Sequence, residues 1–276
     1  MTSEENNSPI VADAWSSLRK LTPARIALGR AGGSLPTHEW LKFKSAHAVA
    51  REAVHCEFNA EQLSSDIVRL NSHAELDPVI VDSQATDGAT FLQRPDLGRR
   101  LSDRSRWELQ ELASAAEHAP DLVIVVSDGL SALAVHRQAT PLLGILLPKL
   151  TNDKWTVSRI VIARFGRVAL QDEVGQVLRA RLALMLLGER PGLGSPDSLG
   201  AYLVHGPRIG NTDANRNCVS NIRPDGLPLE AAAKTTYHLL TEARRRGISG
   251  VQLKDERNST GQLASGATES APATLA

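Results

Sequence analysis

The feature that most constrains the fold is an uninterrupted apolar run at residues 182–187, LALMLL. A run without a polar position is typical of a strand buried on both faces, as in a parallel sheet covered by helices. It is followed at once by residues 188–194, GERPGLG, whose three glycines and one proline give an open backbone. A bulky ligand can approach such a loop closely. The segment therefore predicts a cofactor-binding rim and points away from a nucleophile-based active site.

Strand and helix patterns alternate from about residue 79 to residue 247. Strands are predicted at 79–81, 122–126, 158–163, 182–187 and 201–205, and helices at 102–118, 130–150, 171–179 and 228–246. The 130–150 helix contains Pro141, which predicts a break there. This alternation predicts an α/β fold with a mostly parallel, Rossmann-like sheet flanked by helices.

A small helical N-terminal segment is expected to precede this sheet. Helices are predicted at about 22–29, 37–58 and 60–70, and apolar positions in residues 11–21 also fall on one helical face. That face belongs either to the first helix of the fold or to a helix that docks on a partner. The expected boundaries are 1–12 for a flexible tail, 13–70 for the helical segment, 71–250 for the α/β domain and 251–276 for a disordered tail.

Charge and composition argue against several classes of function. The chain has 31 Lys and Arg against 31 Asp and Glu, so no positive field gathers nucleic acid. No apolar run approaches the ~20 residues of a membrane span, and residues 1–9 lack the apolar core of a signal peptide. We therefore expect a cytoplasmic protein without a nucleic-acid or membrane partner. The two cysteines, Cys56 and Cys218, and the scattered histidines lack metal-ligand spacing, so no metal site is expected.

Four loops are expected to meet at one edge of the sheet. Residues 127–131, 165–168 and 188–194 each follow a predicted strand, and the stretch at 218–222 lies past another. In an open parallel sheet, ligands bind outside the carboxyl ends of the strands. These loops should therefore converge in space although they are far apart along the chain.

Conventional catalytic motifs are missing from the sequence. It has no G-x-G-x-x-G fingerprint opening a helix, no P-loop and no G-x-S-x-G elbow, so no catalytic residue is assigned. Asp128 is either a general base or a turn residue before glycine. His136 and His205 are either proton carriers or structural residues. Asp96 and Asp172 fit turn chemistry.

Two side chains near the expected edge have competing interpretations. Glu189 either accepts hydrogen bonds from ligand amides and hydroxyls or forms a salt bridge with Arg190 or Arg167. Cys218 is either a nucleophile or a small packing thiol. No histidine or helix N-terminus that would activate this thiol is identifiable from the sequence.

Several motifs, in one order, resemble the small (light) subunit of ethanolamine ammonia-lyase. They are ARI at 24–26, GRAG at 29–32, RPDLGRRL at 94–101, SDGLS at 127–131, GERPGLG at 188–194, CVSNI at 218–222 and PLEAAA at 228–233. The resemblance runs from about residue 13 to residue 250. It implies adenosylcobalamin-dependent conversion of ethanolamine to acetaldehyde and ammonia by a hetero-oligomer. In that family a large subunit supplies a TIM barrel and the substrate site.

The same resemblance implies a set of cofactor contacts. Val168, Glu189 and Cys218 match the family's cobalamin-contact positions, where the small subunit covers part of the cofactor at the subunit interface. The Asp-x-His-x-x-Gly motif of proteins that replace the cofactor's own base is missing, which implies base-on adenosylcobalamin. The implied location is the cytoplasm or a bacterial microcompartment. Two alternatives stay open: a stand-alone α/β enzyme that uses Asp128 with a histidine, and an interaction subunit that never touches the cofactor.

Overall fold

The structure, a computed structural model, describes residues 9–70 and 78–255. Near the N-terminus, the short strands β1 (Ile10–Val11) and β2 (Arg30–Ala31) pair antiparallel, with a 3-10 helix at Ser16–Lys20 between them. Helices α1 (Thr37–His55) and α2 (Ala60–Leu70) follow. Both helices were expected from the sequence.

A six-stranded sheet with helices on both faces forms the rest of the described chain. Its elements are β3 (Val79–Asp82), α3 (Gly88–Gln93), α4 (Asp103–Ala115), β4 (Leu122–Ser127), α5 (Ala132–Asn152), β5 (Val161–Arg164), α6 (Leu170–Val177), β6 (Leu182–Gly188), β7 (Leu199–His205), β8 (Arg216–Ile222) and α7 (Leu229–Arg246). The strand order is β3-β5-β4-β6-β7-β8. The predicted α/β fold with flanking helices is confirmed.

The sheet is mixed, which the sequence did not indicate. Strands β3, β5, β4 and β6 run parallel, whereas β7 is antiparallel to both β6 and β8. Short connections without a crossover α-helix join β6 to β7 and β7 to β8, and such connections suit antiparallel neighbours. As a consequence, the carboxyl ends of β3, β4, β5, β6 and β8 all lie at the same edge of the sheet.

Side-chain alternation along the strands builds two cores. On β4, Leu122, Ile124 and Val126 join the core under α2, α5 and α7, which we call the α5 face. Val123 and Val125 join the core under α4 and α6, which we call the α6 face. Because β4 is buried on both faces, its apolar run has no polar positions.

Helix α5 runs unbroken through Pro141 and Pro148, so the predicted break near Pro141 is wrong. An interior proline costs a helix roughly 3 kcal/mol. The helix offsets that cost by burial, since Leu142 and Leu143 are fully covered by the α5-face core. A completely buried leucine contributes about 1.5–3 kcal/mol.

The expected helix at 22–29 does not form. Thr22 accepts a hydrogen bond from the backbone N–H of Ala24, but no helical turn follows. Ala27 and Gly29 adopt positive φ angles of 50° and 76°, which a right-handed helix excludes. The apolar residues of 11–21 are not packed as a core helix either, since Trp15 is 68% exposed.

The segment at 218–222, expected as a loop, forms the last five residues of the seven-residue strand β8. Val219 and Ile222 are buried on the α5 face, while the polar Ser220 and Asn221 between them are exposed. A register shift between Leu199 and Ala201 on β7 interrupts simple alternation along this pair. That irregularity is why the period-2 signal is weak in the sequence.

Past α7, one residue near the end of the described part is anchored to the sheet. Leu253 is buried, and Asn217 Nδ2 donates to its carbonyl oxygen at 2.7 Å. The division into 13–70 and 71–250 stays a prediction, and most of the two expected tails lies outside the described residues. Across residues 9–70 and 78–255, no helix is both long and apolar enough to cross a membrane.

Candidate functional site

The loops after β4, β5 and β6 meet at the carboxyl edge of the sheet. The backbone N–H of Phe165 donates to Asp128 Oδ1 at 2.9 Å, which joins the β5 loop to the β4 loop. The N–H of Leu130 donates to the carbonyl oxygen of Gly188, also at 2.9 Å, which joins the β4 loop to β6. Glu189 then contacts the end of β8. The predicted convergence of these segments is confirmed.

The glycines of the 188–194 loop serve different purposes. A Cβ on Gly188 would lie 2.1 Å from the carbonyl oxygen of Ser131, so glycine is needed for the close approach of two loops. A Cβ on Gly192 would lie 2.8 Å from Ser195 Oγ, whereas one on Gly194 would meet nothing within 4 Å. Only Gly194 thus leaves open space, and the interpretation of all three as ligand-approach positions is wrong.

The carboxylate of Glu189 is held at the edge by three donors. Its Oε2 accepts from Ser198 Oγ at 2.5 Å and from the N–H of Asn221 at 3.2 Å, and its Oε1 accepts from Ser220 Oγ. Glu189 forms no ion pair with another described residue, so the salt-bridge alternative is wrong. A carboxylate has about four acceptor positions, two on each oxygen. The three bonds use both positions on Oε2 and one on Oε1, so one position on Oε1 remains free.

Cys218 lies in the middle of β8, on the α6 face and opposite Tyr202 of β7. Ser220 extends the same face towards Glu189. Cys218 and Ser220 are exposed, so none of the helices within residues 9–70 and 78–255 covers this part of the sheet. We call Glu189, Ser220, Cys218 and Tyr202 the open band.

Desolvation of the thiol group raises the pKa of Cys218, although the residue as a whole is exposed. A hydrogen bond with Tyr202 lowers this pKa, and the charge of Glu189 raises it. Burial is also the largest cause that raises the pKa of Tyr202. A thiol with a raised pKa is protonated near neutral pH, which argues against Cys218 as a nucleophile.

Val168 lies between the end of β5 and the start of α6. It is half-buried against the α6-face core and lines a cleft of 560 Å³ together with Arg167, Asp172 and Arg216. Arg216 is on the same face of β8 as Cys218, so this Val168 cleft adjoins the open band. Within the described chain, Arg167 Nε is buried without a hydrogen-bond partner, which is rare for a buried donor.

A second cleft, of 660 Å³, opens between the carboxyl ends of β4 and β5. Helices α5 and α6 leave these neighbouring strands on opposite faces, which is where open α/β sheets bind ligands. Asp128, His55 and Arg164 are among its lining residues, with Phe91 and Leu130 on apolar walls. Burial is the main cause that raises the pKa of Asp128 to about 6. We call this the Asp128 cleft.

The remaining candidate side chains, His136, His205 and Asp96, lie in separate parts of the fold. His136 Nε2 contacts the N–H of Asn59 at 3.2 Å, which ties α5 to the start of α2. His205 is at the opposite edge of the sheet, where desolvation, aided by Arg181, lowers its pKa. Asp96 forms a surface pair with Arg94.

Asp172 is a buried ion-pair residue on α6 and not a turn residue. Its Oδ2 accepts from Arg216 Nη2. Desolvation raises the pKa of Asp172, and the hydrogen bond from Arg216 opposes that shift. The sequence reasoning missed Arg216 and Tyr202, because their proximity to Cys218 depends on strand pairing. Within residues 9–70 and 78–255, no cluster of His, Cys, Asp and Glu is suited to a metal ion.

The family model described as ethanolamine ammonia-lyase light chain (EutC) matches residues 12–254. The chain belongs to the ethanolamine ammonia-lyase light chain family. Its relatives include an ethanolamine ammonia-lyase small subunit of Pseudomonas fluorescens (strain Pf0-1), 51% identical over 242 residues, which are 88% of this chain and 87% of the relative. The Azotobacter vinelandii small subunit is 51% identical over 251 residues, 91% and 92% of the two chains.

A third relative extends the similarity beyond these two genera. The ethanolamine ammonia-lyase small subunit of Xanthomonas campestris pv. campestris is 50% identical over 244 residues, 88% of each chain. The family resemblance inferred from the loop motifs is confirmed. The matched region contains every strand of the sheet and both clefts.

Proposed function

We propose that this light chain is the small subunit of an adenosylcobalamin-dependent ethanolamine ammonia-lyase, which converts ethanolamine to acetaldehyde and ammonia. In this proposal it pairs with a large catalytic subunit and forms part of the cobalamin site at their interface. Family membership over residues 12–254 supports the activity. The observation that supports the site is Glu189, fixed by three donors at an open edge with one acceptor position free.

The exposed residues suit a corrin ring, which is broad, apolar on its faces and rimmed by carboxamides. A wide surface without a covering helix is needed, and the open band with the Val168 cleft offers one. Glu189 can accept a proton from an amide or hydroxyl, and Arg167 Nε can donate to an oxygen. The residues present therefore fit the cofactor.

In this proposal each cofactor contact has a simple role. Val168 provides apolar contact, Glu189 accepts a hydrogen bond, and Cys218 provides a small polarizable surface. Strands β3 to β6 act as a Rossmann-like frame that holds these residues on one edge. Bound base-on adenosylcobalamin supplies the radical chemistry, while this chain orients it and excludes water. We assign no catalytic residue to this chain.

Substitution of Glu189 tests the proposed site. The complex of both subunits is titrated with cobalamin by absorbance, and Glu189→Ala should weaken affinity by roughly ten- to 150-fold, since a charged hydrogen bond is worth about 1.5–3 kcal/mol. Glu108→Ala, a surface control on α4 paired with Arg104, should bind normally. Unchanged affinity of Glu189→Ala together with a large drop in melting temperature would show that Glu189 only links β6 to β8. That result would favour the interaction-subunit alternative.

A further inference from the structure

Exposed apolar side chains are concentrated at the N-terminus. Of the eighteen large apolar residues exposed in the described chain, twelve lie in residues 10–54. They include Trp15 at 68%, Trp40 at 48% and Phe43 at 41% exposure. We call residues 9–55 the N-terminal arm. Tryptophan and phenylalanine are enriched in protein interfaces, and patches of this kind mark interaction sites.

Helix α1, the main element of the arm, is barely covered by its own chain. Of its residues only Glu39 and Ala53 are buried, near its two ends. At about 100° per residue, Trp40 and Val49 lie on opposite sides of the helix, and Leu41 lies between them. Because these exposed apolar side chains lie on both sides of the helix, among its charged residues, a partner that covers only one side would leave some of them in water. This helix, about 28 Å long, therefore needs a partner that encloses it.

The arm borders the same edge as the proposed cofactor site. Arg25 Nη2 donates to the carbonyl oxygen of Leu193, in the loop that carries Glu189, at 3.2 Å. At the other end of the arm, Val54 and His55 line the Asp128 cleft. A subunit that closes the open band from this edge would therefore also reach the arm.

Charges on α1 indicate what the partner surface contains. Lys44 and Arg51 have no carboxylate within salt-bridge distance among the described residues, and Lys44 instead lies 5.0 Å from the centre of the Trp40 ring. Together with His47 and the single acidic residue Glu52 they line one shallow depression on α1, in which the cations outnumber the carboxylate. Apolar residues beside free cations match an apolar groove with acidic residues at its rim.

We propose that the N-terminal arm is the segment gripped by the large subunit, with α1 enclosed in an apolar groove that has an acidic rim. This inference rests on the proposed function, because it requires a large subunit. A second copy of this chain is the less suitable occupant. Two-fold pairing would bury one side of each helix and leave the opposite side, with Trp40 or Val49, in water.

The test is assembly of the full-length chain with the large subunit, measured by sedimentation. The Trp40→Ser/Phe43→Ser double variant should bind at least tenfold more weakly, because buried aromatic anchors dominate interface energetics. Lys44→Glu/Arg51→Glu should weaken binding most at low salt. Trp107→Ser is the matched control: Trp107 is 60% exposed but lies on α4, outside the arm, and its variant should assemble normally. Circular dichroism of each lone chain should match that of the unsubstituted protein.

Three results would contradict the inference. Normal assembly by the Trp40→Ser/Phe43→Ser variant would overturn the docking role while leaving the proposed function intact. The unsubstituted chain alone could instead form a dimer that the Trp40→Ser/Phe43→Ser variant does not form. If assembly with the large subunit were then unchanged, the occupant of the arm would be a second copy of this chain. Failure of the unsubstituted chain to assemble with any large subunit would overturn both this inference and the proposed function.

Discussion

Among the single residues, Asp128 has a carboxyl group that is largely removed from water. Its carboxyl group is buried at the end of β4, where Oδ1 accepts from Ser127 Oγ and from the N–H of Phe165, each at 2.9 Å. These bonds favour the charged form, but desolvation outweighs them and raises the pKa to about 6. The ionised carboxylate is therefore a cost to the folded state at neutral pH.

This raised pKa predicts a pH-dependent effect of Asp128→Asn. Between the ordinary value of 3.8 and about 6, the folded protein holds a proton that the unfolded chain has lost, so stability falls as pH rises through this window. The loss is up to about 3 kcal/mol. Asparagine keeps an oxygen acceptor without the charge, so the variant should gain about 1–3 kcal/mol over the parent at pH 8 and little at pH 3.5. Urea unfolding at both pH values measures this difference, and a gain independent of pH would contradict the explanation.

At the level of elements, the approach of the β4 loop to β6 depends on one missing side chain. In Gly188→Ala, the new methyl group would overlap the carbonyl oxygens of Asp128 and Ser131, at 2.4 and 2.1 Å. We expect a loss of about 1–3 kcal/mol or more. Gly194→Ala, in the same loop but facing open space, should change stability by less than about 0.5 kcal/mol. Thermal unfolding compares the pair, and equal melting temperatures would disprove the packing role of Gly188.

Helix α6 is joined to β8 by a buried ion pair. Asp172 and Arg216 are both almost fully covered, and Arg216 Nη1 also donates to the exposed Asp213 at 2.9 Å. Asp172→Ala leaves the buried guanidinium without its buried partner and should cost about 3–5 kcal/mol. Asp213→Ala removes only the exposed partner and should cost under about 1 kcal/mol. Urea unfolding of the two variants measures the contrast, and similar losses would show that Arg216 is not effectively desolvated.

For the whole molecule, the proposed function predicts that the lone chain does not turn over ethanolamine. In that proposal this chain contributes only cofactor contacts, which lie on an open face, and it contributes no catalytic residue. An acetaldehyde assay with saturating adenosylcobalamin should show activity only when the large subunit is added. Turnover of any small substrate by the lone chain, lost in Asp128→Asn, would instead support a stand-alone enzyme that uses the Asp128 cleft with His55.

The local pattern of the sequence was sufficient for elements with a strong period. The continuous apolar runs of β4 and β6 predict strands covered on both faces, and Ser102 predicts the start of α4, where it accepts from the N–H of Ser105 at 3.2 Å. The same local reasoning failed at Pro141 and at residues 22–29. In the first case, burial of the helix outweighs the intrinsic cost of proline. In the second case, Thr22 is a good capping residue, but the residues that follow it do not pack an apolar helical face against the rest of the protein.

By itself, the sequence determined the α/β class, the helix-flanked buried strands and the family, because these depend on residue type and spacing along the chain. Only the tertiary structure decided that β7 reverses direction and that Glu189 is bound by Ser198, Ser220 and Asn221 and not by an arginine. It likewise decided that Cys218 faces Tyr202 on an uncovered part of the sheet. The physical reason is that these contacts join residues distant along the chain. Which strands become neighbours, and therefore which side chains meet, is decided by the packing of the whole sheet.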